Sequence, residues 1–232
     1  MLHWRPVSTA TGSAVSPNPA QHTPDAQTRG HKKKARTRQQ LLDAALKIYA
    51  HKGAMELALN ELAQEAGVSN GTIYNYFRTK EDVLEAVSIS LAEELSHEIS
   101  AVSSGVENGA ERVAIGVRIF VLRAAANPQW ASALINVVRY AEGMRSALGN
   151  YVRQDLRKAL QQKYLDYCDE DLAIGLLISG VLSAMVGIVE GRYQPGQDSS
   201  IAQMLLQALG MPKPDALLIA QQALPEIINA PE

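Results

Sequence analysis

The stretch from Ala63 to Lys80, reading AQEAGVSNGTIYNYFRTK, combines residue types that suit contact with phosphates and base edges. Gly67 accepts the left-handed backbone that ends a helix, and Ser69 is a good N-cap for the next one. Val68 and Ile73 occupy the two positions of a hydrophobic staple, which sets the angle between two helices. The pattern predicts a helix, a tight turn and a second short helix.

The second of these helices is predicted to expose a polar and aromatic face. Ile73 and Phe77 are four residues apart and point into the core together. An entirely structural role for the aromatics is the alternative, but three aromatics within four positions cannot all face one core. The exposed side chains include amides, hydroxyls and aromatic rings and no acid, which suits a DNA groove. They belong to Asn70, Gly71, Thr72, Tyr74, Asn75 and Tyr76.

The spacing AxxAGVSxGTIYxYFxxKEDV closely resembles the DNA-binding signature of TetR/AcrR-type transcriptional regulators. The resemblance runs from about Thr37 to Val87 and is densest over GTIYNYFRTKEDV. It is more specific than a bare helix-turn-helix pattern, because the turn, the aromatic pair and the lysine all keep the family's spacing. It implies an all-α protein, with an N-terminal three-helix helix-turn-helix bundle and a larger C-terminal helical domain for ligand binding and dimerisation.

Position by position, the resemblance implies Asn70, Gly71 and Tyr74 as base-edge contacts, with Thr72 and Lys80 among the phosphate contacts. Tyr76 joins the phosphate group, and Asn60 falls where some members reach a base. One departure is that Leu57 and Ala58 replace a Ser/Thr pair, which predicts weaker capping and one phosphate contact fewer. The DNA-binding residues predicted in this region are Asn60, Ser69, Asn70, Gly71, Thr72, Tyr74, Asn75, Tyr76 and Lys80.

Charge is distributed unevenly along the chain. Residues 1–38 hold seven Lys/Arg and one acid, a net charge of +6, whereas the other 194 hold 15 Lys/Arg and 23 acids, a net charge of −8. A basic arm on an acidic body indicates nucleic-acid contact at one end, although a solvated stretch is the alternative. The predicted arm contacts are Lys32, Lys33, Lys34 and Arg36.

Composition and helix-breaking residues predict three regions in the chain. Residues 1–30 read as a disordered tail without a signal peptide, 31–80 as the DNA-binding domain with its basic arm, and 81–232 as the helical ligand-binding and dimerisation domain. Thr79 and Asp82 resemble a capping box. Apolar spacing and breaker residues predict helices over about 35–51, 58–66, 70–77, 80–103, 107–126, 128–144, 146–167, 170–192, 199–210 and 213–224.

The helix near 170–192 contains 18 residues without a charge, from Leu172 to Val189. Such a segment suits a dimer interface, a monomer core or a short membrane span. Acids flank it and no Lys/Arg cluster borders it, which favours the dimer interface over the membrane. The predicted interface consists of two rows of small residues. One row is Ser179, Ser183 and Gly187, and the other is Gly180 and Ala184.

Aromatic and methionine side chains in the C-terminal half predict an adaptable pocket between helices. Each residue taken singly reads better as core or as solvated surface, but the set suits a small apolar or aromatic effector, oriented by Arg123 or Arg139. The resemblance points to the same place, between the helix near 107–126 and the two after it. The predicted ligand-binding residues are Phe120, Arg123, Trp130, Arg139, Tyr140, Met144 and Met185.

These features predict a cytoplasmic homodimeric repressor that binds double-stranded DNA at a palindromic operator and is released by the effector. The alternatives are an activator or a ligand-independent regulator with the same DNA module. An enzyme or a membrane-tethered sensor is a further alternative. The single cysteine, Cys168, and the scattered histidines favour neither a metal site nor an enzyme, so no cofactor is expected. The short, acid-flanked apolar helix argues against a membrane partner.

Overall fold

The computed structural model describes residues 25–225, except for the side chains of 25–29 and 142–147. The chain divides into two compact units, Met1–Arg36 and Thr37–Glu232. Over the described range the secondary structure is helical with no strand, as predicted. The α-helices are α1 (Asp25–Lys52), α2 (Leu59–Glu65), α3 (Asn70–Ile73), α4 (Lys80–Val102), α5 (Gly109–Ala126), α6 (Pro128–Tyr140), α7 (Glu142–Gln161), α8 (Glu170–Val189), α9 (Gln197–Ala208) and α10 (Lys213–Gln221), with a short 3₁₀ turn at Ala54–Glu56.

Helix α1 begins at Asp25, about ten residues before the predicted start. The predicted tail over 1–30 lies outside the described residues as far as residue 24, and residues 25–30 are helical instead. Apolar spacing reports only which turns are buried, whereas Lys, Arg and Gln continue a helix on propensity alone. Apolar periodicity therefore could not predict the first turns of α1.

The break between α6 and α7 falls at Ala141, not between Gly143 and Gly149 as predicted. Ala141 has an extended backbone, and both glycines lie within α7. A β-carbon on Gly149 would come within 3.2 Å of the Ile174 side chain. That glycine therefore reports the close approach of α7 to α8 and does not end a helix.

Within the second unit, one apolar core is shared by the helix-turn-helix and the larger helical bundle. Leu42, Ile73 and Phe77 are buried at one end, and Leu134 and Met185 at the other. Helix α4 passes between them and buries the side of Val83, Val87, Leu91 and Leu95, as its spacing predicted. A change in packing at one end can therefore reach the other through continuous side-chain contact.

Candidate DNA-binding surface and effector cavity

The turn between α2 and α3 has the predicted local geometry. Gly67 takes a φ of 67°, which a side chain would strain. The Ser69 Oγ accepts the Thr72 backbone N–H at 3.2 Å and so caps α3. Ile73 and Phe77 are buried, with exposed fractions of 0% and 4%. The predicted helix-turn-helix is therefore present.

Helix α3 is shorter than predicted, ending at Ile73 rather than near 77. The next residues continue as a tighter turn, because the N–H groups of Asn75 and Tyr76 donate to the carbonyls of Thr72 and Ile73, three residues back. Tyr74 points outward with 59% of its surface exposed.

The structure divides the predicted contact residues into free and engaged groups. Asn70, Gly71 and Asn75 are exposed like Tyr74. Thr72 is half-buried, with its hydroxyl 2.8 Å from that of Ser69. Tyr76 is half-buried against the core, so only part of its ring is available to a phosphate.

Two predicted contacts at the edges of this surface already have partners within the chain. The Lys80 ammonium donates to the Met55 carbonyl at 2.9 Å, which ties the start of α4 to the turn before α2. The Asn60 side-chain oxygen accepts the Glu61 N–H at 2.9 Å. Ala58 is the N-cap of α2 and offers no side-chain bond, so the predicted weak capping is confirmed.

Helix α4 is firmly started beside this surface. Thr79 and Asp82 form the predicted capping box, with bonds of 3.1 Å in both directions. The Asp82 carboxylate also accepts the Arg78 N–H at 2.8 Å, and these backbone donors lower its pKa. The DNA-binding bundle and α4 are thus joined without a flexible linker.

Helix α6 provides a second connection to the bundle that the sequence did not reveal. The Ser132 hydroxyl donates to the Ala50 carbonyl at 3.0 Å, and the Asn136 amide donates to the Tyr49 carbonyl at 3.1 Å. These carbonyls lie in the last turn of α1, and the Tyr49 carbonyl also accepts the Gly53 N–H at 3.1 Å.

The predicted basic arm is the helical first part of α1. Its four side chains Lys32, Lys33, Lys34 and Arg36 are exposed and lie in the first compact unit. Their role in DNA contact stays a prediction.

A cavity of about 180 Å³ lies between α4, α5, α6, α7 and α8. Phe120 and Met185 line it, together with Leu95 and Ile99 of α4 and Leu134 of α6. Most of its surface is apolar. Because α4 forms part of the wall, an occupant would touch the helix that begins at the end of the DNA-binding bundle.

The other predicted pocket residues whose side chains the structure describes do not line this cavity. Arg123 instead pairs with Glu94 and Glu98 of α4 and stacks over the Trp130 ring at 4.6 Å from its centroid. It lies on the same face of α5 as Phe120 but almost one turn further along the helix, where its guanidinium reaches the two glutamates of α4. Arg139 lies over the Tyr140 ring of its own helix, at 5.7 Å, and both residues are exposed. The Met144 side chain lies outside the described residues.

The charged residues at the cavity are Arg112 and Asp155, which sequence reasoning missed. Their Nε and Oδ1 atoms are 2.5 Å apart, and the Arg112 Nη1 donates to the Ser103 carbonyl at 2.8 Å. They are 43 residues apart in the chain, so no local motif joins them. The sequence feature that could have located the cavity was Gly116. This glycine lies in the middle of an apolar helix and lines the cavity.

The two small-residue rows of α8 face different neighbours. Ser179 and Ser183 are exposed, whereas Gly180 and Ala184 are half-buried. A β-carbon on Gly180 would lie 2.7 Å from the Leu205 side chain of α9 in the same chain. The Gly180 row therefore packs helices within one chain, and only the serine row is available to a partner.

Of the described part of the chain, α8 is the one helix long and apolar enough to cross a membrane by length and composition. Only 28% of its apolar window is buried. Its exposed residues Leu172, Leu176, Ser179, Ser183 and Val186 follow the 4-3-4-3 spacing of a helix-packing seam.

Two family profiles match this chain. Residues 41–87 match the bacterial regulatory proteins of the tetR family, and residues 108–222 match the tetracyclin repressor-like C-terminal domain. The first match covers the DNA-binding bundle and the start of α4, and the second covers α5 to α10, which include every cavity helix except α4.

Curated relatives resemble mainly the N-terminal bundle. The HTH-type transcriptional regulator SrpR of Pseudomonas putida is 41% identical over 54 residues, 23% of this chain and 25% of that protein. The fatty acid metabolism regulator protein of Bacillus subtilis (strain 168) is 44% identical over 55 residues, 24% and 26% of the two chains. These matches span about a quarter of each relative's length.

Solved structures resemble the fold over most of the chain. RolR in complex with the ligand resorcinol has a TM-score of 0.64 at 24% identity, over 85% of this chain and 99% of that one. FadR from Bacillus subtilis in complex with stearoyl-CoA also has a TM-score of 0.64, at 18% identity, over 72% and 97%. The turn geometry and the helical bundle agree with both profile matches. The chain belongs to the TetR/AcrR family of bacterial regulatory proteins.

Proposed function

We propose that this protein is a cytoplasmic transcriptional repressor, which binds a palindromic operator as a homodimer and is released by a small apolar or aromatic effector. The observation that carries the proposal is the shared helix α4, which contributes Leu95 and Ile99 to the cavity wall and starts at the capping box beside the recognition surface. A ligand that binds one spacing of the dimer better than the other shifts DNA affinity through that helix.

The exposed seam of α8 supports the dimer. Its centre is Ser179 and Ser183, whose small side chains let two helices approach closely. Met204 on the neighbouring helix α9 is 68% exposed and extends the apolar surface. A partner copy covers such a surface by an isologous contact, and a two-fold axis then presents two recognition helices to two half-sites.

Selection from random DNA duplexes tests the DNA-binding part of the proposal. We expect enrichment of an inverted repeat with half-sites about one helical turn apart. Enrichment of an asymmetric site, or of no site, contradicts it. A reporter with the selected site overlapping the promoter then separates repression from activation.

A cavity-filling variant tests release by an effector. A β-carbon at Gly116 would have the Ile99 side chain at 3.8 Å as its nearest neighbour, which is ordinary contact. Gly116→Leu should therefore fold, bind the operator and resist release by small aromatic compounds that release the wild type. Ala126→Leu, exposed at the end of the same helix, is the matched control and should respond like wild type. Equal release of all three proteins contradicts a role for this cavity.

A further inference from the structure

The cavity wall is mainly apolar, with one ion pair and several uncharged polar side chains, and the ion pair restricts what can bind. Arg112 and Asp155 lie between α5 and α7, with side-chain exposures of 25% and 13%. The wall also carries Phe120 and Met185. An occupant therefore meets apolar surface over most of its body and a compensated ion pair at one place.

The pair has hydrogen-bonding capacity left over. Arg112 uses Nε for Asp155 and Nη1 for the Ser103 carbonyl. Among the described residues no hydrogen bond engages the Arg112 Nη2 or the Asp155 Oδ2. The first is a donor and the second an acceptor, so together they match a group that both donates and accepts, such as a hydroxyl.

Charged ligand groups match this pair poorly. A carboxylate is attracted by Arg112 but repelled by Asp155, and an ammonium has the reverse problem. Either must also leave its water behind in a partly buried site where the existing charges already neutralise each other. A neutral hydroxyl loses less hydration and completes both vacant bonding positions.

Three residues with hydroxyl groups lie at the cavity mouth. Ser96, Ser100 and Tyr151 line both the cavity and an adjoining recess between α4 and α7. Hydroxyls at the mouth can hydrogen-bond to a second polar group on the ligand without imposing a charge. The recess reaches Glu93 and His97 on the outer side of α4.

Volume limits the size of the occupant. A cavity of about 150 Å³ lined by apolar side chains holds one benzene molecule. The cavity here measures about 180 Å³, so it accepts one ring with small substituents.

We propose that the effector is an uncharged, single-ring hydroxylated compound, with its ring against Phe120 and Met185 and a hydroxyl bridging Arg112 and Asp155. This inference rests on the proposed function, because it assigns the ligand class of the same cavity. Arg112 and Asp155 are then the residues that select neutral over charged ligands.

Three near-isosteric probes test the proposal on the full-length protein, namely benzyl alcohol, benzoate and benzylamine, with toluene as the apolar reference. Affinities are measured by calorimetry, supported by ligand-observed NMR at millimolar concentrations. At pH 7, benzyl alcohol should bind at least about tenfold more tightly than benzoate or benzylamine, and more tightly than toluene. Gly116→Leu should abolish this binding, and Ala126→Leu should not change it.

Charge variants test which residues select. Asp155→Asn keeps the side-chain shape but removes the negative charge, so the preference against benzoate should shrink by about tenfold. Arg112→Met should shrink the preference against benzylamine instead. Arg112→Met also loses the bond to the Ser103 carbonyl, so thermal unfolding is measured for each variant. If Arg112→Met does not fold, Asp155→Asn alone tests the proposal.

The proposal is overturned if wild type binds a charged probe as tightly as benzyl alcohol, or binds none of the probes. It is also overturned if Asp155→Asn keeps the full discrimination against benzoate. Operator binding is measured on the same preparations without any probe. If the wild type binds the operator but not benzyl alcohol, the ligand class alone is rejected. If the wild type does not bind the operator, the proposed function is rejected.

Discussion

At the residue scale, the recognition surface is a set of side chains whose neighbours fix the backbone but leave the outer atoms free. Ser69 and Ile73 hold α3 in place by capping and burial, and Tyr74 projects from it. Because the tasks are divided in this way, DNA contact and stability can be perturbed separately.

Tyr74→Ala should weaken operator binding by about 1–3 kcal/mol and relax the preference at one base position. The thermal unfolding midpoint should barely change, because the tyrosine is 59% exposed. Tyr76→Ala is the informative comparison, since that half-buried ring packs on the core and its loss should lower stability as well. An unchanged operator affinity for Tyr74→Ala in a shift assay contradicts the assignment.

At the element scale, ion pairs of different burial join the helices around the cavity. Arg123 of α5 bonds to Glu98 of α4 at 2.5 Å, and both side chains are mostly buried. Lys158 of α7 and Glu107 form an exposed pair at 2.8 Å, with Glu107 89% exposed. Solvent screens the second pair far more than the first.

A double-mutant cycle should distinguish these two pairs. Combining Arg123→Met with Glu98→Gln should give a coupling energy of about 0.5–1.5 kcal/mol in denaturant unfolding, because the partly buried pair also includes Glu94 and the Trp130 ring. The Lys158 and Glu107 cycle should give a clearly smaller coupling, because the Glu107 carboxylate lies in solvent. Equal couplings would mean that burial does not strengthen the link between α4 and α5.

Glu170 at the start of α8 should make stability depend on acid pH. Bonds from Arg157 and Arg153 of α7 outweigh desolvation and lower its pKa from 4.5 to about 2. Since the folded-state pKa is lowered, the contribution is complete above about pH 4.5 and is lost as the pH falls toward 2.

Glu170→Gln should therefore lower the unfolding midpoint at pH 7 and make its decline between pH 4.5 and 2 shallower than in wild type. Glu85→Gln, on the exposed side of α4, is the control. Parallel curves for wild type and Glu170→Gln would contradict the link between α7 and α8.

At the scale of the whole molecule, the α8 seam decides the oligomeric state. Ser183→Arg should convert the dimer to a monomer in sedimentation at micromolar concentration, because the new charge would be buried without a partner. It should also weaken operator binding, since the second half-site no longer binds as part of one complex. Gly180→Arg is a poorer test, because Gly180 contacts Leu205 of its own chain.

Ser104→Arg, in the exposed turn after α4, carries the same charge change and should remain dimeric. A monomeric wild type, or a Ser183→Arg protein that still sediments as a dimer, rejects the seam as the interface.

The sequence by itself determined the features that depend on neighbouring residues. The left-handed Gly67, the Ser69 cap and the Thr79–Asp82 capping box each involve groups within four residues of one another, so residue type and spacing were sufficient. The same local logic located the all-helical fold and most helix ends. It failed at the start of α1, where a solvated helix has no apolar period.

Only the tertiary structure decided which C-terminal residues meet at the cavity. Arg112 and Asp155 pair across two helices, and the contacts of Asn136 with Tyr49 span 87 residues. Composition suggested Phe120 and Met185, which line the cavity, but Arg123 pairs with α4 and Gly180 packs against α9. Which face of a helix lines a pocket depends on where its neighbours pack, and that is settled by long-range contacts that local spacing does not encode.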